Sequence, residues 1–280
     1  MDNILGFGGA TLTNLKSLKE SLQLLDLAFE YGIRHYDTAP LYGQGYSEVI
    51  YGKFLKNKRD KVTVTTKFGL GENNDTDKIP VNLILPLNYL VKSLKKRFLK
   101  PNENDASFAG FPYRKIDKHV IQMSFEKSLK RLNTDYIDYY LLHEASPSYL
   151  TEEAISFLMS LKNEGRVRQI GIGSNISDIK KLSETDVLLW DILQYESDVP
   201  ENTNEILLKF PKKIHFHHSR LKNIKHEKVK DVASEDKGGF LLAQAARHNP
   251  NGKIIFSTRS QNTLKKNVEG FLKYNSLQVS

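Results

Sequence analysis

The sequence predicts an α/β protein of the (β/α)8 TIM barrel class, and three observations lead to this fold. Its 280 residues are close to the roughly 250 that one such barrel uses. Short apolar runs alternate with amphipathic stretches, the pattern of parallel strands joined by crossover helices. Eight such runs can be counted. We therefore expect residues 1–280 to form a single barrel domain.

The eight predicted strands are apolar runs that end at glycine, polar or turn residues. In chain order they cover residues 4–9, 33–37, 62–67, 137–143, 167–173, 192–195, 213–218 and 253–257. A doubly wound open sheet would show the same alternation, but it usually carries a Gly-rich phosphate turn after its first strand. Gly6, Gly8 and Gly9 lie inside the first strand instead. We therefore favour the closed barrel and assign these glycines to tight backbone packing.

The stretches between the strands have the spacing of amphipathic helices. Apolar residues recur every three or four positions in three of them, namely at Leu18, Leu22, Leu25 and Phe29; at Ile121, Phe125, Leu129 and Leu132; and at Ile155, Leu158 and Leu161. Thr151 is typical of a helix start, and Gly165 of a helix end. Each helix should therefore pack one face against the barrel.

One segment, residues 68–117, interrupts this alternation. It is far longer than an ordinary connection after a strand. We expect a lid, a binding loop or a small inserted helix there. Because the segment follows the third strand, we expect it to lie over the barrel mouth.

Composition excludes several classes of protein. Hydrophobic residues make up 39% of the chain and charged residues 26%, so a sizeable core can be buried. No apolar run approaches the roughly 20 residues that span a bilayer, and the first residues lack the blocks of a signal peptide. The absence of cysteine excludes disulfides. We expect a cytoplasmic protein with no membrane partner.

The net charge of +8 raises the question of nucleic acid binding. Basic residues are dispersed, however, with one denser run at 92–100, and no nucleic-acid-binding motif accompanies them. We expect no nucleic acid partner and assign the charge to solvated helix faces, with some steering of anionic ligands. A monomer or weak homo-oligomer is expected.

Four polar residues stand where the predicted strands end. Asp37 ends the second strand, Lys67 the third and His143 the fourth, and Tyr42 follows Asp37 in a loop. Each has an ordinary structural explanation when taken alone. In a barrel, however, the carboxyl ends of the strands converge on one mouth, where the active sites of such enzymes lie.

These four residue types together suit carbonyl reduction. A free tyrosine has a pKa near 10, and a lysine about 4 Å away favours the phenolate. Asp37 would hold Lys67 charged, while His143 would orient a substrate carbonyl that receives hydride from a cofactor. We expect Tyr42 to act as the general acid and base.

The surrounding motifs resemble the aldo-keto reductase family. They are Tyr36-Asp37-Thr38-Ala39-Pro40-Leu41-Tyr42-Gly43, Ser47-Glu48, Thr65-Thr66-Lys67-Phe68-Gly69 and Leu141-Leu142-His143. The resemblance covers nearly the whole chain and is closest to the sugar-oxidising branch, with the L-galactose and D-threo-aldose dehydrogenases. It implies a (β/α)8 barrel and places the family's catalytic tetrad on Asp37, Tyr42, Lys67 and His143.

The same resemblance implies a nicotinamide cofactor. Ser174, Asn175 and Gln194 match the family's contacts to the carboxamide, although Ser174 or Asn175 could instead cap a helix. His218 occupies the position of an aromatic residue that stacks on the ring. The phosphate and adenosine contacts fall on Ser257, Thr258, Arg259, Gln261 and Asn267.

The phosphate segment departs from the family pattern in ways that affect the choice of cofactor. The usual Pro-Gly or Pro-Lys is Phe256-Ser257, and the family's helix arginine falls near Thr263. The grip on a 2'-phosphate would therefore rest on Arg259, with Lys265 or Lys266 nearby. NADP(H) is the expected cofactor and NAD(H) the alternative.

The histidines of the seventh strand could suggest a metal. Strand alternation turns His217 and His218 to opposite faces, and no carboxylate or cysteine completes a site. We expect no metal.

The expected function is hydride transfer between NADP(H) and an aldehyde, a ketone or a sugar. Three alternatives stay open. One is a regulatory protein that binds the cofactor with little turnover. Another is an NAD-dependent aldose dehydrogenase. The third is an unrelated barrel enzyme, such as an isomerase that uses Lys67 as a Schiff base.

Overall fold

The computed structural model describes residues 4–70, 79–98, 115–197, 200–218, 221 and 232–276. Eight parallel strands follow one another around a closed barrel. They are β1 (Leu5–Gly8), β2 (His35–Asp37), β3 (Thr63–Phe68), β4 (Ile137–His143), β5 (Val167–Gly173), β6 (Ile192–Glu196), β7 (Ile214–His218) and β8 (Lys253–Phe256). The predicted fold class is confirmed, and each strand lies where the sequence places it, within two residues at either end.

The described helices cover the outside of the barrel. They are α1 (Leu18–Glu30), α2 (Tyr46–Leu55), α3 (Val81–Phe98), α4 (Lys118–Leu132), α5 (Glu152–Asn163), α6 (Ile176–Lys181), α7 (Pro200–Lys209), α8 (Lys237–His248) and α9 (Gln261–Ser276). Thr151 caps α5 as predicted, since its Oγ1 accepts a hydrogen bond from the Ala154 N–H at 3.1 Å. Gly165 follows the same helix with φ 72°, the left-handed conformation that glycine adopts without strain. None of the described helices is both long and apolar enough to cross a membrane.

The barrel closes where its first strand pairs with its last, with Leu5 opposite Ile254 and Phe7 opposite Phe256. Its interior holds a small apolar cluster of Leu141, Ile192, Phe216 and Ile255. Larger clusters lie between the strands and the helices. This packing holds the strand ends, and hence the polar side chains on them, in fixed relative positions.

Tight packing also accounts for the glycines of the first strand. A Cβ on Gly6 would lie 2.6 Å from the His35 ring. Gly9, just beyond β1, is equally confined, because a Cβ there would lie 2.4 Å from the Tyr51 ring. The sequence interpretation of these glycines is confirmed.

The described part of the long segment is helix α3. Its Val81 and Leu85 are buried, and the Tyr46 hydroxyl donates to the Ile79 carbonyl at 2.9 Å. The helix packs against α1, α2 and the 3-10 turn Leu12–Asn14. Residues 71–78 and 99–114 lie outside the described residues, as do the side chains of 92–98 in the basic run. Helix α3 thus lies beside the β1–α1 connection, and the expectation that the whole segment lies over the barrel mouth stays a prediction.

Candidate functional site

The four predicted catalytic residues meet at the carboxyl end of the barrel. Asp37 and His143 are the last residues of β2 and β4, and Lys67 lies near the end of β3. The Lys67 ammonium donates to Asp37 Oδ1 and to the Thr38 carbonyl, each at 2.8 Å. It also lies 5.0 Å from the centre of the Tyr42 ring, and the rings of Tyr42 and His143 are 5.9 Å apart.

A strained loop holds Tyr42 in this position. Gly43, Gln44 and Gly45 have φ values of 59°, 56° and 88°, in the left-handed region that favours glycine. Two sets of hydrogen bonds hold the loop in place. Thr38 Oγ1 donates to Ser47 Oγ at 2.8 Å, and Ser47 Oγ donates to the Gly9 carbonyl at 3.1 Å.

The second set belongs to a buried ion pair beneath the same loop. Glu48 accepts from Thr66 Oγ1 at 2.6 Å and from Arg131 Nη1 at 3.1 Å. A Cβ on Gly45 would lie 2.8 Å from the Arg131 guanidinium carbon. The Ser47-Glu48 motif therefore fixes the Tyr42 loop against α4 and β3.

Electrostatics at the site are dominated by burial. Burial raises the pKa of Tyr42, although the positive charge of Lys67 opposes this effect. Burial lowers the pKa of Lys67, but Asp37 and Tyr42 outweigh it, so the net direction is upward. Burial and the charge on Lys67 lower the pKa of His143 well below its usual range. The sequence argument anticipated that Lys67 would lower the pKa of Tyr42; the lysine does so, but desolvation is the larger effect.

These residues open into a cavity of about 600 Å³. Gln194, His218 and Ser257 line it together with the four residues above. Two acidic residues that the sequence analysis did not name, Glu144 and Glu196, line it as well. Their signal was available, because Glu144 directly follows His143 and Glu196 ends β6, but neither belongs to the motifs that were recognised.

Gln194 provides a test of whether these residues fit a nicotinamide amide. Its Nε2 donates to Asp37 Oδ2 at 2.8 Å, and only 3% of the residue is exposed. Its Oε1 is buried and has no hydrogen-bond partner among the described residues. A buried acceptor without a donor is costly. A ligand N–H at the cavity floor would remove that cost, so the site fits an amide-bearing ligand.

Ser174 and Asn175 lie at the adjoining strand end but interact mainly with protein groups. Asn175 caps α6, since its Oδ1 accepts from the Asp178 N–H at 3.0 Å, and this is the helix-cap alternative that the sequence left open. The Ser174 hydroxyl donates to Glu144 Oε2 at 3.5 Å. The carboxamide role of both residues stays a prediction.

The strand-seven histidines face opposite ways, as predicted. His218 lines the cavity. His215 and His217 instead form hydrogen bonds with the Tyr195 hydroxyl at 3.0 and 3.1 Å, in the core between the strands and the helices. Whether His218 stacks on a cofactor ring stays a prediction.

The predicted phosphate segment lines a second cleft of about 630 Å³. Thr258 and Arg259 line it, and Ser257 lines both this cleft and the catalytic cavity. Lys16 and Glu20, which the sequence analysis did not name, line it too, and the Lys16 ammonium lies 5.7 Å from the centre of the Tyr89 ring of α3. The two spaces therefore adjoin at Ser257.

Other residues predicted for the phosphate and adenosine contacts lie elsewhere. Lys266 lines a separate cleft with Glu235 and Asp236, and Lys265 lies 3.9 Å from Glu269. Asn267 is buried against α8, where a Cβ on Gly238 would lie 2.0 Å from its Oδ1. Gln261 is exposed at the start of α9. None of these four is among the described residues that line the Arg259 cleft.

Comparison with known proteins agrees with the family resemblance of the sequence. The sequence profile of the Aldo/keto reductase family matches residues 4–217, which is most of the chain. The chain therefore belongs to the aldo/keto reductase family.

Two curated relatives and one solved structure illustrate the similarity. A D-threo-aldose 1-dehydrogenase of Pseudomonas sp is 35% identical over 181 residues, covering 62% of this chain and 50% of that protein. The NADH-specific methylglyoxal reductase of Escherichia coli (strain K12) is 30% identical over 169 residues, covering 58% of this chain and 44% of that protein. The matches thus span half or less of these relatives' length. An aldo-keto reductase from Klebsiella pneumoniae in complex with NADPH superposes with a TM-score of 0.66 at 16% identity, covering 95% of this chain and 84% of that one.

Proposed function

We propose that this protein is an oxidoreductase that transfers hydride between NADP(H) and an aldehyde, a ketone or the corresponding hydroxyl, such as that of a sugar. The observation that carries the proposal is the buried Lys67 ammonium at the floor of the cavity, held by Asp37 at 2.8 Å and 5.0 Å from the centre of the Tyr42 ring. This arrangement favours proton exchange by a tyrosine, which is otherwise a weak acid near neutrality.

Each residue of the cluster has a distinct role in this proposal. Tyr42 donates its hydroxyl proton to the substrate oxygen during reduction and receives a proton during oxidation. Lys67 stabilises the phenolate that forms, and Asp37 keeps the lysine charged and oriented. Because the pKa of His143 is lowered by burial, its neutral imidazole can donate a hydrogen bond that orients the substrate carbonyl.

The nicotinamide cofactor, when bound, supplies the hydride. We assign its amide to Gln194 and Ser174, with Asn175 and His218 nearby, and its phosphates to Ser257, Thr258 and Arg259. The unpartnered Oε1 of Gln194 and the junction of the two spaces at Ser257 support this assignment. Gln261 and Asn267 remain assigned to the adenosine end, as proposals from the family resemblance alone.

The choice of NADP(H) over NAD(H) rests on two cations in the second cleft. Arg259 and Lys16 both line it, and an arginine fork suits a phosphate group. The solved relative with NADPH bound supports the choice. The relative described as NADH-specific makes NAD(H) the alternative. The similarity to a D-threo-aldose 1-dehydrogenase supports a sugar among the substrates.

Tyr42→Phe tests the catalytic proposal. We expect turnover with a panel of aldehydes and aldoses to fall about 10²- to 10⁴-fold, the usual effect of losing a general acid. Binding of NADPH, followed by the quenching of its fluorescence, should stay nearly unchanged because the ring remains.

Tyr31→Phe is the matched control, because its hydroxyl donates to the exposed Glu269 at 3.3 Å and Tyr31 is not among the described residues that line the catalytic cavity. It should keep wild-type turnover. If Tyr42→Phe kept more than half of the activity, the assignment of Tyr42 would be wrong. If wild-type protein bound NADPH but turned over no substrate, the regulatory alternative would replace the enzymatic one.

A further inference from the structure

Glu144 occupies an unusual position beside the candidate site. It directly follows His143 and has a φ of 52°, a left-handed conformation that is uncommon for a residue with a side chain. It lines the catalytic cavity and also a neighbouring cavity of about 330 Å³. Its side chain therefore forms part of the wall between the two spaces.

The carboxylate of Glu144 is held by the groups that would surround a nicotinamide amide. The Ser174 hydroxyl donates to its Oε2 at 3.5 Å, and interaction with the Asn175 backbone partly offsets the rise that burial causes in the pKa of Glu144. Gln194, with its unpartnered Oε1, lines the same cavity. Glu144 thus belongs to the proposed amide-binding region, where no motif had placed it.

The charges that line the cavity do not cancel. Asp37 and Lys67 neutralise each other at 2.8 Å. Glu144 and Glu196 remain, and no second lysine or arginine is found among the described residues of the lining. The two glutamates also repel each other, as the effect of Glu196 on the pKa of Glu144 indicates. The described part of the cavity lining therefore carries a net negative charge.

An acidic wall distinguishes the two oxidation states of the cofactor. The oxidised nicotinamide ring carries one positive charge and the reduced ring none, so a nearby carboxylate attracts only the oxidised form. We propose that Glu144 is a cofactor-binding residue that makes the site bind the oxidised dinucleotide more tightly than the reduced one. This inference rests on the proposed function and adds a preferred oxidation state of the cofactor to it.

Glu144→Gln tests the inference because it removes the charge and keeps the shape. Dissociation constants of NADP⁺ and NADPH would be measured by calorimetry at about pH 8, well above the reference pKa of a glutamate. Burial raises the pKa of Glu144, and this is the reason for the alkaline condition. We expect the preference for NADP⁺ over NADPH to fall about three- to thirtyfold, the range for one partly screened charge several ångströms away.

Two further variants complete the experiment. Glu196→Gln removes the other carboxylate of the same wall, and we expect a smaller shift in the same direction. This variant keeps the inference testable if Glu144→Gln fails to fold. Asp186→Asn is the matched control, because Asp186 lines only the neighbouring cavity among these spaces and its carboxylate accepts from Ser183; it should leave the ratio of the two constants unchanged.

The outcomes separate the inference from the proposed function. If both glutamine variants changed the affinities for NADP⁺ and NADPH by equal factors, the inference would be overturned and the proposed function would stand. Equal shifts of the ratio in Glu144→Gln and Asp186→Asn would overturn it too. If the wild-type protein bound neither dinucleotide nor NAD(H), the proposed function would fail and the inference with it.

Discussion

Arg259 is the residue on which the proposed choice of cofactor depends. It lines the second cleft, as Lys16 does, and a charge-assisted contact to phosphate is worth about 1.5 to 3 kcal/mol. We expect Arg259→Ala to weaken NADPH binding about ten- to a hundredfold and to leave NADH binding nearly unchanged. Fluorescence titrations with both cofactors would measure this.

Lys266→Ala provides the matched control for that substitution. Lys266 lies on the helix that follows Arg259 but lines a different cleft, beside Asp236 and Glu269. Its removal should alter neither affinity. Equal losses of NADPH and NADH in Arg259→Ala would place Arg259 on the shared diphosphate, and a wild type that preferred NADH would overturn the choice of NADP(H) while leaving the role of Tyr42 intact.

At the scale of the elements, backbone contact between α8 and α9 sets how closely these two helices pack. Gly239 of α8 lies against the backbone of Gly270, where an added Cβ would come within 2.3 Å of its carbonyl carbon. We expect Gly239→Ala to destabilise the protein by about 1–3 kcal/mol, because the helices must separate. Thermal unfolding followed by circular dichroism would measure the loss.

The reverse substitution, Gly270→Ala, is the control for this contact. There the added Cβ would lie 3.1 Å from the Gly239 Cα, a smaller overlap. The roughly 1 kcal/mol gained by replacing a helical glycine should offset most of the strain. A melting temperature for Gly239→Ala equal to that of the wild type would show that the helices are not in rigid backbone contact.

The bounds of an element could be predicted where the residues that determine them are close together in the sequence. Strands such as Ile137–His143 and Val167–Gly173 were found at their observed bounds because buried parallel strands are continuous apolar runs. Helix α3 was only one of three options for its segment. Its apolar residues, such as the exposed Leu83 and Leu87, do not reveal which partner the helix packs against.

Within the candidate site, the same distinction between local and distant signals applies. The four polar strand ends could be predicted to converge because the barrel itself brings them together. The presence of Lys16 in the cleft that Arg259 lines could not be predicted, because the two residues are far apart in the sequence and only tertiary packing brings Lys16 to the cleft. The fold class is confirmed by the structure. The single-domain extent of residues 1–280 and the roles of the site residues stay predictions.

At the scale of the whole molecule, buried histidines should make stability depend on pH. Burial lowers the pKa of His35, His143 and His215 in the folded protein. Below the unfolded pKa of about 6.5, the unfolded chain therefore binds more protons than the folded one. Each histidine contributes stability that is complete above that pH and falls by up to about 1.4 kcal/mol per pH unit on acidification, until its folded pKa is reached.

Urea unfolding at about pH 7.5 and about pH 5.5 would measure this dependence. Burial raises the pKa values of Glu48 and Glu144, and protonation of these carboxyls acts in the opposite sense. His35→Gln isolates one histidine, and we expect a shallower loss of stability on acidification in that variant. An unchanged slope would mean that the pKa of His35 is the same in the folded and unfolded states.

The pairing of β1 with β8 has a consequence for how the chain reaches its native state. Leu5 and Ile254 are neighbours in the barrel, although nearly the whole polypeptide separates them along the chain. During synthesis on a ribosome, β1 emerges before β8. The edge of β1 that pairs with β8 therefore stays unpaired until β8 has been made. An unpaired strand edge can pair with another nascent chain, and contacts between such distant residues form slowly. Newly made protein is therefore exposed to aggregation until β8 has been synthesised, and chaperones that shield strand edges would act during that interval.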